Sequence, residues 1–256
     1  MRRQQNTDRL LPVAAVIVLL VVWEIACRAF AIESYVLPAP TRIIAVFVDK
    51  FSLLMMHASY TLYEAVIGLL LSCLFGIVAA LLMYRFRYLE KVASPLIVIS
   101  QTVPIIALAP LVLIWFGMGI GPKVGIVVLV CFFPVTISAL AGFKASDPAM
   151  ISLMRTMGAK SNRIFREVCL PSAAPQIFVG IRMAATYSVM GAVIGEWLGA
   201  RAGLGIFMTR AISSYRADML FAAVLIVVII SLALYAIVGL CEWLLLPWKR
   251  KTTKGV

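Results

Sequence analysis

Six long apolar runs decide what this chain can fold into: Leu10–Ala26, Ala65–Tyr84, Val92–Phe116, Val124–Phe143, Gly180–Leu198 and Phe221–Leu246. A helix that crosses a bilayer needs about 20 predominantly apolar residues. The composition agrees, with 63% hydrophobic and 13% charged residues and a mean hydropathy of +1.05. Soluble domains run at about 45–50% apolar and about 25% charged. The expectation is an all-α integral membrane protein with six transmembrane helices. It forms one domain over residues 1–256, with a core from about residue 60 to residue 246.

On a soluble protein a net charge of +12 suggests nucleic acid. Here the positive residues follow the connections between runs, so they report topology, and no nucleic-acid partner is expected. With a cytoplasmic N-terminus, fifteen lie inside: Arg2, Arg3, Arg9, Arg85, Arg87, Lys91, Lys144, Arg155, Lys160, Arg163, Arg166, Lys249, Arg250, Lys251 and Lys254. Six fall in outer loops: Arg42, Lys50, Lys123, Arg201, Arg210 and Arg216. Arg28 and Arg182 are placed near helix ends. This asymmetry predicts a multi-pass protein of the cell inner membrane with both termini cytoplasmic. Residues 1–26 have the form of a secretory signal, a basic start followed by an apolar run and small residues. Loss of that segment would leave the other helices oriented as before.

The longest break in the second half is Asp147–Pro171, within a polar connection at 145–171. Asp147 and Pro148 predict a helix start. Met150, Leu153, Met154 and Met157 then form one apolar stripe. Gly158 suits a left-handed C-terminal residue. Ser161 is expected to cap a second short helix, and Pro171 to stop it. The element is basic and amphipathic, and far too short to span. It fits a handle gripped by a partner, or a helix resting on lipid headgroups.

Within the runs, Gly68, Ser72, Gly76 and Ala80 recur every fourth residue, as do Gly191, Gly195, Gly199 and Gly203. Such rows let helix backbones approach closely in lipid. The third run carries Gln101, Pro104 and Pro110. Interior prolines bend helices, which membranes tolerate where neighbours or a water-filled cavity satisfy the freed carbonyls. Glu24 and Arg28 are spaced to pair, and Thr41 is expected to cap a short helix through Phe51. Glu64, Gln101 and Glu196 lie at or near membrane depth, where polar groups mark function. The alternative for the two carboxylates is a position at the outer water boundary, and His57 is expected there with a wet tip. The five cysteines form no CxxC pair and read as small apolar packing residues.

Gly117-Met118-Gly119-Ile120-Gly121-Pro122 is a turn and not a phosphate loop, since no Gly-Lys-Ser/Thr follows. The sequence carries no Walker A, HExxH or GxSxG motif and no paired carboxylates. No enzymatic activity, cofactor or metal is expected in this chain. An intramembrane enzyme built on Glu64, Glu196 or His57 is the alternative, and it lacks a nucleophile. An ion channel would want a continuous polar helix face, and none is present.

Gly158, followed after nine residues by Val168-Cys169-Leu170-Pro171, resembles the cytoplasmic signature of ATP-binding-cassette importer permeases. Ser152-Leu153-Met154 stands where that family often has Glu-Ala-Ala. Leu37-Pro38-Ala39-Pro40-Thr41, Val103-Pro104-Ile105-Ile106-Ala107-Leu108-Ala109-Pro110, Trp115-Phe116-Gly117, Phe132-Phe133-Pro134 and Gly195-Glu196-Trp197-Leu198-Gly199-Ala200 resemble its nitrate/sulfonate/taurine branch. The segments 103–110 and 185–197 look most like members assigned to thiamine-precursor pyrimidines. The resemblance implies a type I importer fold and a homodimer of permeases. It also implies cytoplasmic ATPase subunits that use the ATP, and an external substrate-binding protein. Met150, Leu153, Met154, Arg155, Met157, Gly158, Ala159, Lys160 and Pro171 would then form the ATPase-coupling loop. Gln101, Pro104 and Glu196 are the expected lining of the translocation path.

Overall fold

The computed structural model describes residues 2–197 and 200–248, and all regular structure among them is helical. Helix α1 (Arg2–Ala29) contains the first apolar run. A short α2 (Pro40–Asp49) precedes the long α3 (Phe51–Arg85). Then come α4 (Arg87–Gln101), α5 (Ile105–Phe116), α6 (Ile120–Lys144) and α7 (Pro148–Thr156). Helix α8 (Ser161–Ile164) runs through one π-helical turn, Phe165–Cys169, into α9 (Leu170–Glu196). Helices α10 (Leu204–Ser213) and α11 (Ala217–Leu245) complete the fold.

Among the described residues, four stretches are long and apolar enough to cross a membrane: α3, α6, Ser161–Glu196 and α11. Helices α4 and α5 add a fifth if counted together. The remaining expected run, Leu10–Ala26, lies in α1.

The small-residue rows set the packing. Helix α6 lies between α3 and α9, sharing with them and α11 a core of Ala65, Leu69, Val127, Cys131, Val135, Ala184, Ala185, Val189, Ala192 and Leu234. A Cβ on Gly68 would run into Val127, and one on Gly76 would lie 2.9 Å from Val135. On the other side, a Cβ on Gly191 would lie 3.2 Å from the Val127 backbone. Gly68, Gly76, Gly191 and Gly195 therefore press against α6 of the same chain, and the Ser72 hydroxyl reaches the Val128 carbonyl at 3.4 Å. Gly199 lies outside the described residues.

Helix α1 is peripheral, with Val16–Val22 facing outward. Its attachment is at Trp23, against Phe221 at 5.7 Å, and at Glu24. Glu24 pairs with Arg28 as expected, at 2.6 Å, and also accepts the Thr41 N–H at 3.0 Å. The α2 start thus differs from the sequence reading. Thr41 is not the cap, because Ala39 holds that position and Pro40 follows. The free amide of Thr41 is satisfied by a carboxylate from another helix.

Three further expectations are corrected. The third run is not one straight helix: α4 and α5 meet at 100°. Pro104 forces Val103 away from helical backbone and removes a donor. The Thr102 and Ser100 hydroxyls cover the Ile99 and Ile97 carbonyls, at 2.7 and 2.8 Å. Pro171 stops nothing. The helix from Ser161 to Glu196 is continuous through it, so the fifth span begins well before Gly180. The π turn just ahead has already widened the backbone where the proline N–H is missing, with Leu170 donating to Phe165. Ser161 is likewise no cap, since that position belongs to Lys160.

Candidate functional site

The polar loop forms as its local signals demand. Asp147 Oδ1 accepts the Ala149 N–H at 2.8 Å, capping α7, and Pro148 takes the first helical position. At the other end Gly158 has φ +80. Its N–H donates to Arg155 O at 2.9 Å, and Ala159 N–H donates to Met154 O at 3.0 Å. This is the Schellman arrangement, which needs a left-handed residue and so favours glycine. Met150, Leu153 and Met157 are exposed, Met154 and Ala159 half-buried, and Lys160 exposed. No residue of α7 is buried. Met150, Met154 and Pro171 share a groove of about 650 Å³ with Val168, Pro175 and Trp248. Arg155 faces a different groove, against the end of α3.

Of the expected path residues, Gln101 and Pro104 come together and Glu196 does not join them. The α4–α5 bend turns Ser100, Gln101, Val103 and Pro104 toward α6 and α9. They enclose an open-sided cavity of about 590 Å³ with Leu129, Phe133, Pro134, Ser138, Met183, Tyr187 and Met190. Its lining holds a carboxamide, a phenol, two hydroxyls, thioethers and an aromatic ring, and no charged side chain. The sequence reading did not assign Met183, Tyr187 and Met190 to the path. Their i, i+4, i+7 spacing places them on one face of α9 and was the available signal.

Glu196 is fully buried elsewhere. Its Oε1 accepts the Thr61 hydroxyl at 2.7 Å and its Oε2 the Gly205 N–H at 2.6 Å. Thr61 Oγ1 in turn accepts the Leu204 N–H at 2.8 Å, and His57 Nδ1 accepts the Gly203 N–H at 3.0 Å. The first amides of α10, which have no partner within the helix, are therefore held by side chains of α3 and α9. Gly203 has φ +126, and a Cβ there would strike the Glu196 carboxylate. His57 is buried rather than wet-tipped.

Glu64 is buried too, paired with Lys123 at 2.9 Å. Both carboxylates thus lie inside the protein, Glu196 at the last residue of α9 and Glu64 against the first turn of α6. Lys123 is not a loop residue: α6 begins at Ile120, so its ammonium is carried into the helix packing. Arg182 sits well inside α9 and pairs with Glu242 of α11 at 2.6 Å. At the opposite end of α11, Arg216 and Arg42 converge on Asp218. Its carboxylate, 2.9 Å away, pushes the Arg216 guanidinium above its ordinary pKa.

Residues 72–248 match the model of the binding-protein-dependent transport system inner membrane component family. The chain belongs to that family. The permease is 38% identical to the formylaminopyrimidine transport permease protein ThiX of Halalkalibacterium halodurans, over 97% of this chain and 99% of that one. It is 31% identical to the riboflavin transport system permease protein RibX of Chloroflexus aurantiacus, over 93% and 90%. It is 28% identical to the taurine transport system permease protein TauC of Escherichia coli, over 93% and 89%. In fold it is similar to a chain of the MetNI methionine transporter in an inward-facing form. That match has a TM-score of 0.59 at 20% identity and covers 75% of this chain and 97% of that one. It is a multi-pass inner-membrane permease component of the ATP-binding-cassette type, and members of this family are not themselves enzymes.

Proposed function

We propose that this permease forms half of the translocation path of an importer, and that the solute is a small neutral heteroaromatic of the thiamine-precursor pyrimidine class. The observation that carries this reading is the uncharged lining of the 590 Å³ cavity. A ring with amino and carbonyl groups finds stacking surfaces in Phe133 and Tyr187, polarisable contacts in Met183 and Met190, and a two-way hydrogen-bonding group in Gln101. A sulfonate or nitrate would find no cation there to offset its desolvation. The 38% identity to a formylaminopyrimidine permease points the same way.

The family supports the rest of the reading. The open side of the cavity is closed by a second copy of the chain, giving a homodimer with the path on its axis. A separate cytoplasmic ATPase grips the exposed stripe Met150, Leu153 and Met157, with Arg155 and Lys160 at its rim and Gly158 shaping its end. ATP is used there and not by this chain. An external binding protein delivers the solute. With α1 and the α4–α5 pair counted as one span each there are six, and the excess of Lys and Arg on one side supports a cytoplasmic position for both termini and the 145–171 loop.

The test is uptake by proteoliposomes that contain the permease with its ATPase and its binding protein. Labelled formylaminopyrimidine should accumulate with ATP, and excess taurine should not compete. Accumulation of taurine with no pyrimidine uptake would overturn the solute assignment.

A further inference from the structure

We infer that the groove between the end of α3 and the coupling loop is a binding site for the headgroup of one anionic phospholipid. The site rests on the proposed orientation of this loop. The groove has a volume of about 560 Å³. Arg85 and Arg155 line it, and among the described residues neither makes an ion pair. The groove lining contains no carboxylate. By contrast, nearby Lys144 is paired with Glu90, and Arg163 with Glu167. Ser161 and Asn162 add uncharged hydrogen-bonding groups to one wall. Leu81 and Leu82 form the other wall, and both are exposed along the flank of α3.

This combination fits a phosphodiester with attached acyl chains better than a free anion. Two unneutralised guanidinium groups match phosphate geometry. The leucine wall continues from the groove along a membrane-spanning helix, where acyl chains would lie. Basic recesses between helices on the cytoplasmic side are the usual sites for such headgroups. Because Arg155 belongs to α7 and Ser161 to the next helix, an occupant would brace the loop against α3.

The experiment uses the full-length permease purified in maltoside and mixed with phosphatidylglycerol or phosphatidylcholine. Native mass spectrometry counts the lipid retained. Phosphatidylglycerol should be retained in preference, and the double variant R85Q/R155Q should weaken its binding about thirtyfold. The variant R87Q/K91Q, basic but outside the groove, should retain it as the parent does. Equal loss in both variants would reduce the effect to general surface charge and overturn the site. So would equal retention of the two lipids. Stabilisation against heat by millimolar inorganic phosphate, equal to that by phosphatidylglycerol, would assign the groove to a free anion instead. None of these readouts involves the ATPase, so a failure here leaves the coupling reading intact, and a failure of coupling leaves this one.

Discussion

Replacing Glu196 separates a structural carboxylate from a transporting one. The carboxylate holds the Thr61 hydroxyl and the Gly205 N–H at 2.7 and 2.6 Å in a fully buried position. In E196A the Gly205 amide has no acceptor, which costs about 1–3 kcal/mol for an unsatisfied buried donor. The truncated side chain leaves a void that adds about 1 kcal/mol or more. The sum is about 2–4 kcal/mol. In E196Q the volume is kept. The amide oxygen can accept from Gly205, and the amide nitrogen can donate to Thr61 Oγ1. The Thr61 hydroxyl then turns to the His57 carbonyl, already 3.3 Å away. That exchange costs about 1 kcal/mol. The assay is reversible unfolding in mixed micelles, run beside uptake in proteoliposomes. E196A should lose most of its stability and uptake together, while E196Q keeps most of both. A folded E196Q with abolished uptake would refute the reasoning, because the charge itself would then serve transport.

Four other outcomes are expected. G158V should fold, since a Cβ there meets nothing within 4 Å in this chain, at a cost of about 1–2 kcal/mol for left-handed backbone; co-purification with the ATPase should fall sharply, and unchanged uptake would sink the docking role. K123M should cost about 3–5 kcal/mol by stranding Glu64, and most of it should return in E64L/K123M, as measured by thermal unfolding in detergent. G68V should prevent α3 from reaching Val127 and lower the yield of folded permease, with partial rescue by V127A, scored by size-exclusion profile. Q101A and Y187A should raise the Km for pyrimidine uptake about tenfold, the effect of losing one to two kcal/mol of binding, with little change in unfolding midpoint.

What could be read from the sequence was whatever is written within a few residues. The Asp147 cap, the Gly158 turn and the Glu24–Arg28 pair depend on neighbours two to five positions away, and each forms. The small-residue rows announced close packing, though nothing in them named α6 as the helix they would press against. The prolines of the third run announced a bend but not its 100° angle, which no local pattern encodes. The burial of Glu196 against Thr61 was not legible because that partner lies 135 residues away, a pairing no local pattern encodes. Lys123 was misplaced because Gly121-Pro122 looks like a turn, whereas proline in the first turn of a helix costs nothing. Pro171 misled for a related reason. A proline ends a regular α-helix, and the π turn at Phe165–Cys169 makes the backbone irregular just before it.

That continuity has a mechanical consequence. From Ser161 to Glu196 the chain is one helix of 36 residues, about 54 Å of rod at 1.5 Å per residue. One end adjoins the loop the ATPase is proposed to grip. The middle carries Met183, Tyr187 and Met190 along the cavity wall, and the far end fastens α10 and α3 through Glu196. A push at the near end therefore meets no loop in which to dissipate. It arrives at the cavity wall and at the Glu196 junction with α3 and α10 as a tilt that grows with distance along the rod. The π turn, with Pro171 and Pro175 close behind it, is where that rod can bend.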